Sequence, residues 1–310
     1  MTTPTRATEV AGRSLPPAAR ASRWLSGAVR TARPRQWPKN LLVFAAPLAA
    51  SPLGGKDGLV HAIVAAFAFG FASAAVYYVN DVLDADRDRA HPTKRNRPIA
   101  AGELPKWHAL VIAGVCVVVA LSAGFAISAP LLTATVAGYL AISFLYSMVL
   151  KHIPVVEVLF VASGFLLRVL GGAAATHVKP SGWFLLVCSL GALGVAVAKR
   201  YTELVTLGPD AVRHRPVMRS YSPPMLRLSQ YVIGVLMMVC YVLWASGEHS
   251  NARNWHIVSS IPLAVALYRF AMLTGRRTIR PVEDLITRDG AMLACELGWL
   301  SLFVTGLYMA

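Results

Sequence analysis

Residues 59–80 read LVHAIVAAFAFGFASAAVYYVN, and the chain then turns abruptly charged, as Asn80-Asp81-Val82-Leu83-Asp84-Ala85-Asp86-Arg87-Asp88. Crossing ~30 Å of hydrocarbon takes about 20 mostly apolar residues, and this run meets that length with no charged side chain in it. A helix apolar on every face belongs in lipid or deep inside a large core, not on the surface of a small soluble domain. Working outward from it, the same reading predicts spans at Trp37–Leu53, Leu59–Asn80, Trp107–Ile127, Ala129–Leu150, Pro154–Ala175, Trp183–Ala198, Leu226–Ser246, His256–Leu273 and Ala291–Met309.

Composition agrees. Hydrophobic residues make up 56% of the 310 and charged residues 15%, where soluble domains run about 45–50% and about 25%. The expected fold is an all-α membrane protein, a bundle of nine transmembrane helices. Residues 1–32 are polar and rich in Ala, Pro and Arg, with no apolar signal-peptide core; they are expected to form a disordered cytoplasmic tail before a single domain over 33–310. Cys116, Cys188, Cys240 and Cys295 are scattered through apolar runs at no metal-ligand spacing and read as packing residues.

The formal net charge is +15, and its placement matters more than its size. With nine spans, nearly all Lys and Arg gather on the side that holds the N-terminal tail, Asp81–Lys106, Lys151, Lys199–Arg227 and Arg276–Arg288. Lys56, Lys179 and Arg253 fall on the other side. The positive-inside rule then puts the N-terminus in the cytoplasm of a bacterial cell and the C-terminus outside its inner membrane. Headgroups and phosphorylated substrates account for such a charge distribution without nucleic acid.

At ~100° per residue, Asp81, Asp84 and Asp88 share one helical face, with Asn80 at its border and Asp86 pointing elsewhere. Three carboxylates so placed repel one another, and a helix C-terminus disfavours anions. A divalent cation removes both costs; hard oxygen donors beside a phosphate ligand suit Mg²⁺. The loop that follows, His91-Pro92-Thr93-Lys94-Arg95-Asn96-Arg97-Pro98, supplies the cations that a metal-bound phosphate needs around it. Lys199-Arg200-Tyr201-Thr202-Glu203 closes the sixth expected span, where cations either cap the helix or meet an anion, and Glu203 is a second ligand or a base. Lys39 and Asn40 open the first span and face either the headgroups or the site. Arg168 lies deep in the fifth span, a functional-site signal in itself: it either lines a polar cavity, or Gly171-Gly172 breaks the helix and changes its depth. Glu157, eleven residues earlier, is too far along the helix to pair with it. Arg269 lies near a span end, where snorkelling suffices.

Asn80-Asp81-x-x-Asp84-x-x-x-Asp88, with His91-Pro92-Thr93-Lys94-Arg95, Arg97-Pro98 and Gly102, resembles the first aspartate-rich motif of the UbiA-type membrane transferase superfamily, from about Arg33 to the end of the chain. Most members move a prenyl group from a diphosphate to an aromatic acceptor and carry a second aspartate pair after the sixth span. Lys199-Arg200-Tyr201-Thr202-Glu203 stands there instead. Together with Arg33-Pro34-Arg35-Gln36-Trp37-Pro38-Lys39-Asn40 and Leu166–Gly172, this is similar to the decaprenyl-phosphate phosphoribosyltransferase branch.

The resemblance implies Mg²⁺-dependent transfer of 5-phosphoribose from phosphoribosyl pyrophosphate to a polyprenyl phosphate, making a precursor of cell-wall arabinan. It implies that Asp81, Asp84 and Asp88 hold the metal and that Asn80, Lys94, Arg95 and Arg97 attend the leaving diphosphate. Lys199, Arg200 and Tyr201 would take the ribose 5-phosphate, Lys39, Asn40 and Arg168 the lipid phosphate, and Glu203 would assist by positioning. Membrane lipid is the other partner, and an assembly of like chains is left open. The rival readings are a prenyltransferase for a quinone or haem precursor, and a transporter of a phosphorylated lipid carrier.

Overall fold

The computed structural model describes residues 17–50, 57–91, 93–150, 153–247, 252–276 and 282–309. Residues 1–16 of the expected tail, the end of the first expected span at 51–53, Lys56, Pro92 and Lys151-His152 lie outside the described residues. Every regular element described is helical: α1 Pro17–Thr31, α2 Ala45–Ala50, α3 Gly58–Leu83, α4 Ala85–Arg89, α5 Lys106–Ala126, α6 Pro130–Met148 and α7 Val156–Ala175 are followed by α8 Gly182–Leu207, α9 Asp210–His214, α10 Pro223–Gly247, α11 Ala252–Gly275, α12 Val282–Arg288 and α13 Gly290–Met309. Short 3-10 helices cover Pro34–Phe44, Lys94–Asn96 and Pro216–Ser220.

Among the described residues eight helices are long and apolar enough to cross a membrane: α3, α5, α6, α7, α8, α10, α11 and α13. They correspond to eight of the nine expected spans. The first, Trp37–Leu53, is different. Pro38 sits inside the 3-10 helix Pro34–Phe44, and α2 takes over from Ala45 up to Ala50, the last described residue of the stretch. Proline lacks the N–H and clashes with the preceding turn, which fits a stretch that opens as a 3-10 helix and turns α-helical only after it. The expected tail differs too, since residues 17–31 form α1. One side of this helix, with Ala28 and Thr31, is buried, while Leu25 and Val29 are exposed.

The chain groups into two compact units, residues 1–37 with 73–118 and residues 38–72 with 119–310. In the first, α1 is tied to the end of α3 by the Tyr78 hydroxyl, which donates to the Ala28 carbonyl at 2.7 Å, and to the loop before α5 by the Arg30–Glu103 ion pair. In the second, α8 packs against α7 and α10, α6 against α7, and α11 against α10 and α13. Lipid tails are as apolar as leucine, so helices in a bilayer associate through close packing of small side chains rather than through exclusion of water. Ala162 on α7, Ala192 and Ala196 on α8, and Ala198 against Ala266 of α11 are buried accordingly. Large apolar side chains such as Leu131, Val235, Ile261 and Leu297 point outward, as a lipid-facing surface requires.

Gly171-Gly172 does not break α7, which runs unbroken from Val156 to Ala175. The pair is a notch. A Cβ on Gly172 would overlap the Val43 carbonyl, and one on Gly171 the Phe69 ring. The helix end at Arg269 is also more than snorkelling, since its guanidinium donates to Asp289 at 3.1 and 2.8 Å. Asp289 in turn caps α13 by accepting from the Met292 N–H at 2.9 Å, and these bonds hold its carboxyl below the usual range.

Replacing Gly172 with Ala is expected to cost about 1–3 kcal/mol through overpacking. Gly138→Ala, on α6 with open space around the position, is expected to be neutral or stabilising. Thermal unfolding of the two variants in detergent, side by side, checks this.

Candidate active site

In the first unit the α3 register continues through the helix break. Asp84 sits at the junction of α3 and α4, with φ −91° and ψ −1°. Its N–H still donates to Asn80 O at 2.9 Å, and the Asp88 N–H donates to Asp84 O at 2.8 Å. The i, i+3, i+7 spacing therefore survives. Asp81 and Asp88 are almost fully buried, while Asp84 and Asn80 are half-buried. Asp86 is exposed and answers Arg89 at 2.5 Å and Lys106 at 3.4 Å.

The cations around the pair come from both flanks. Arg97 Nη1 donates to Asp81 Oδ1 at 3.2 Å and to Asp88 Oδ2 at 2.7 Å, so one nitrogen bridges the two carboxylates. Arg33 Nη2 donates to the same Asp81 oxygen at 2.6 Å. Its guanidinium lies 4.7 Å over the Tyr77 ring, and the Tyr77 hydroxyl donates to Gln36 Oε1 at 2.8 Å. Arg33 takes a left-handed φ of 50°, a strained conformation for a side chain of its size. Ion pair and ring stack hold it there. Lys94 and Arg95, on the 3-10 turn after α4, are exposed.

Among the described residues no three His, Cys, Asp or Glu side chains converge as a ready-made metal site. The donor chemistry nevertheless fits Mg²⁺, which needs only one or two carboxylates when water and substrate phosphate complete its shell. Two buried carboxylates already share one cationic nitrogen, and a third stands half-buried on the same face.

The second unit holds two further polar clusters. Glu157, fully buried at the start of α7, accepts from Arg200 Nε at 2.5 Å, from Arg215 Nη1 at 3.1 Å and from the Tyr221 hydroxyl at 3.4 Å. Arg200 Nη1 also donates to Glu203 at 2.8 Å, and Arg215 to the Tyr146 hydroxyl at 3.2 Å. Burial pushes the Tyr221 phenol above its ordinary value, so it stays a donor to Glu157 while accepting from the Val155 N–H at 2.8 Å. Lys199 is exposed beside this knot. Tyr201 lies 5.3 Å under the Arg227 guanidinium, which stacks on Tyr231 as well and donates to Ala271 O at 2.6 Å near the end of α11.

Arg168 belongs to the other cluster. Its Nε donates to Asn40 Oδ1 at 2.8 Å, Nη1 to Gly164 O at 2.6 Å and Nη2 to the Tyr139 hydroxyl at 3.2 Å, and the guanidinium lies 4.7 Å over the Tyr139 ring. Arg168, Asn40 and Tyr139 are all buried. The structure thus brings Asn40 and Arg168 together, with half-buried Lys39 next in the chain. Arg33, Tyr77, Glu157, Arg215, Tyr221 and Arg227 are absent from the sequence-derived site. The Arg33-Pro34 motif and the lone Glu157 at the head of a span were the available signals; for the others nothing local marks them.

Fold and site together define a multi-pass membrane protein with carboxylates and arginines buried at the ends of its spans. The chain belongs to the UbiA prenyltransferase family, whose model matches residues 41–286. It is 37% identical to the decaprenyl-phosphate phosphoribosyltransferase of Mycobacterium tuberculosis over 281 residues, covering 89% of this chain and 93% of that one. It is 35% identical to the protein of the same name from Mycolicibacterium smegmatis, covering 98% and 99%. A UbiA homolog from Archaeoglobus fulgidus, solved bound to GPP and Mg²⁺, superposes with a TM-score of 0.68 at 16% identity, covering 91% and 98%. At that identity it speaks to the fold.

Glu157→Gln leaves Arg200 and Arg215 against a neutral group in a buried setting. Breaking a buried pair typically costs about 3–5 kcal/mol, so a large drop in detergent melting temperature is expected. Arg215→Lys, at a half-exposed position, is expected to cost far less in the same measurement.

Proposed function

We propose that this transferase moves 5-phosphoribose from phosphoribosyl pyrophosphate to decaprenyl or another polyprenyl phosphate and releases pyrophosphate, supplying a cell-wall arabinan precursor. The observation that carries this is the likeness to proteins named for that activity along almost their whole length. Lys199-Arg200-Tyr201-Thr202-Glu203, standing where prenyl-diphosphate users of the superfamily are expected to carry a second aspartate pair, supports it.

The ribose C1–oxygen bond to pyrophosphate breaks, and a bond from C1 to an acceptor phosphate oxygen forms. A phosphate monoester is already ionised near neutral pH, so no strong general base is required. Asp81, Asp84 and Asp88 would hold Mg²⁺, which when bound supplies Lewis-acid charge to a departing diphosphate. Arg97, with the exposed Lys94 and Arg95, gives the leaving group charge-assisted hydrogen bonds, and Asn80 borders the same face. Arg33 orients Asp81.

Lys199, exposed beside Arg200, Tyr201 and Glu203, meets a substrate phosphate. Glu203 acts by holding Arg200. Lys39 meets the lipid phosphate, on backbone fixed by the Asn40–Arg168 bond. The polyprenyl chain lies against lipid-facing apolar surface. The protein sits in the bacterial inner membrane with its basic loops, and hence these residues, on the cytoplasmic side.

Purified protein given labelled phosphoribosyl pyrophosphate and polyprenyl phosphate is expected to move label into the lipid fraction with release of pyrophosphate. Chelating divalent ions should stop the reaction, and added Mg²⁺ should restore it. A prenyl diphosphate with aromatic acids should give no product. Prenyl transfer in that arm, or phosphoribosyl transfer indifferent to chelation, would overturn the reading.

A further inference from the structure

The carboxylates that would hold a metal are already neutralised by arginine. Asp81 and Asp88 are 2% and 3% exposed, and a carboxylate ionised that deep needs a counter-charge. Arg97 provides it with a single nitrogen that touches both side chains, which is the role one cation would play. Arg33 adds a second positive charge on the Asp81 oxygen that Arg97 also uses.

The two arginines are held differently. Arg33 has the Tyr77 ring beneath it, and Tyr77 is tethered through Gln36. Among the described residues, the Arg97 side chain forms its ion pairs with the two carboxylates, with no ring beneath it. Its guanidinium is partly open to solvent, on the segment after the 3-10 turn Lys94–Asn96, while both carboxylates stand on helices. Arg97 is therefore the group that can leave without moving the frame.

We propose that Arg97 is the resident counter-ion of the Asp81–Asp88 pair and that a divalent cation enters only together with a diphosphate, by exchange. This rests on the reading of the pair as a metal–diphosphate site and adds the order and coupling of binding. A cation arriving alone meets two guanidinium charges at the oxygens it needs, and displacing Arg97 would strand that charge. A diphosphate arriving alone meets two carboxylates whose neutralising arginine it would pull away. Arriving together, the metal takes the carboxylates and the diphosphate takes the guanidinium, whose planar fork suits phosphate oxygens. Every charge then ends paired. The consequence for the cell is a site that does not fill with free divalent ion when no donor is present.

The test uses the full-length protein in detergent, Mn²⁺ as the metal probe read by electron paramagnetic resonance, and inorganic pyrophosphate as the diphosphate. In the natural protein, pyrophosphate is expected to tighten Mn²⁺ binding by at least about 10-fold, within the usual range for two coupled ligands. Arg97→Gln is expected to bind Mn²⁺ alone more tightly than the natural protein by a similar factor and to lose most of the gain from pyrophosphate. A second measurement needs no variant: phenylglyoxal labelling of Arg97, followed by mass spectrometry, should change with Mn²⁺ plus pyrophosphate and not with Mn²⁺ alone.

Unchanged Mn²⁺ affinity in a folded Arg97→Gln protein, or the same labelling change with Mn²⁺ alone, overturns the exchange and leaves the metal–diphosphate reading standing. If the natural protein binds no Mn²⁺ even with pyrophosphate, both fall.

Discussion

Burying a carboxylate where water cannot reach it is the constraint on which this structure turns. Asp81, Asp88 and Glu157 each lie at the end of a helix or span with almost no exposure, and each is met by arginine rather than lysine. The guanidinium fork can satisfy two acceptors at once while remaining charged, and it is less strongly hydrated than an ammonium group. Arg97 spans two aspartates, and Arg200 spans two glutamates. The apolar spans can end in charge because the charges end in pairs.

The two carboxylate groups nonetheless differ in character. Around Glu157, Arg200 is as buried as its partner, and Tyr221, Val155 and Tyr146 complete the bonding. Such a knot fixes the junction of α7, α8 and the segment before α10; exchanging any member for a substrate would strand a charge. Around Asp81 and Asp88, Arg97 is partly exposed and stands on a short turn. A site that must trade one cation for another needs that looser hold, and the strained, stacked Arg33 beside it keeps the carboxylate oriented meanwhile.

Much of this was legible in the sequence because it is local. Span length is a property of contiguous residues, and eight spans stand near where hydropathy places them. The aspartate spacing was legible because it follows helical period, and the backbone keeps that register across Asp84. The exceptions have physical reasons. Trp37–Leu53 reads as one plain helix, yet with Pro38 inside it the stretch runs as a 3-10 helix to Phe44 and as an α-helix only from Ala45. Residues 17–31 have the composition of a tail, and they are a helix that packs against the end of α3. The arginine partners were illegible because the pairs are distant: 48 residues separate Arg33 from Asp81, 43 separate Glu157 from Arg200 and 128 separate Asn40 from Arg168. For Arg168 the sequence left open a polar cavity or a break in the helix; in the structure it is fastened to the 3-10 segment that carries Lys39.

The arginine-neutralised aspartate pair is most directly tested by a structure of the protein with Mn²⁺ and phosphoribosyl pyrophosphate, the metal located by its anomalous scattering. A peak coordinated by Asp81 and Asp88, with the Arg97 guanidinium turned onto a diphosphate oxygen, is the expected result. A peak elsewhere, with Arg97 still bridging the two carboxylates while donor is bound, would contradict it.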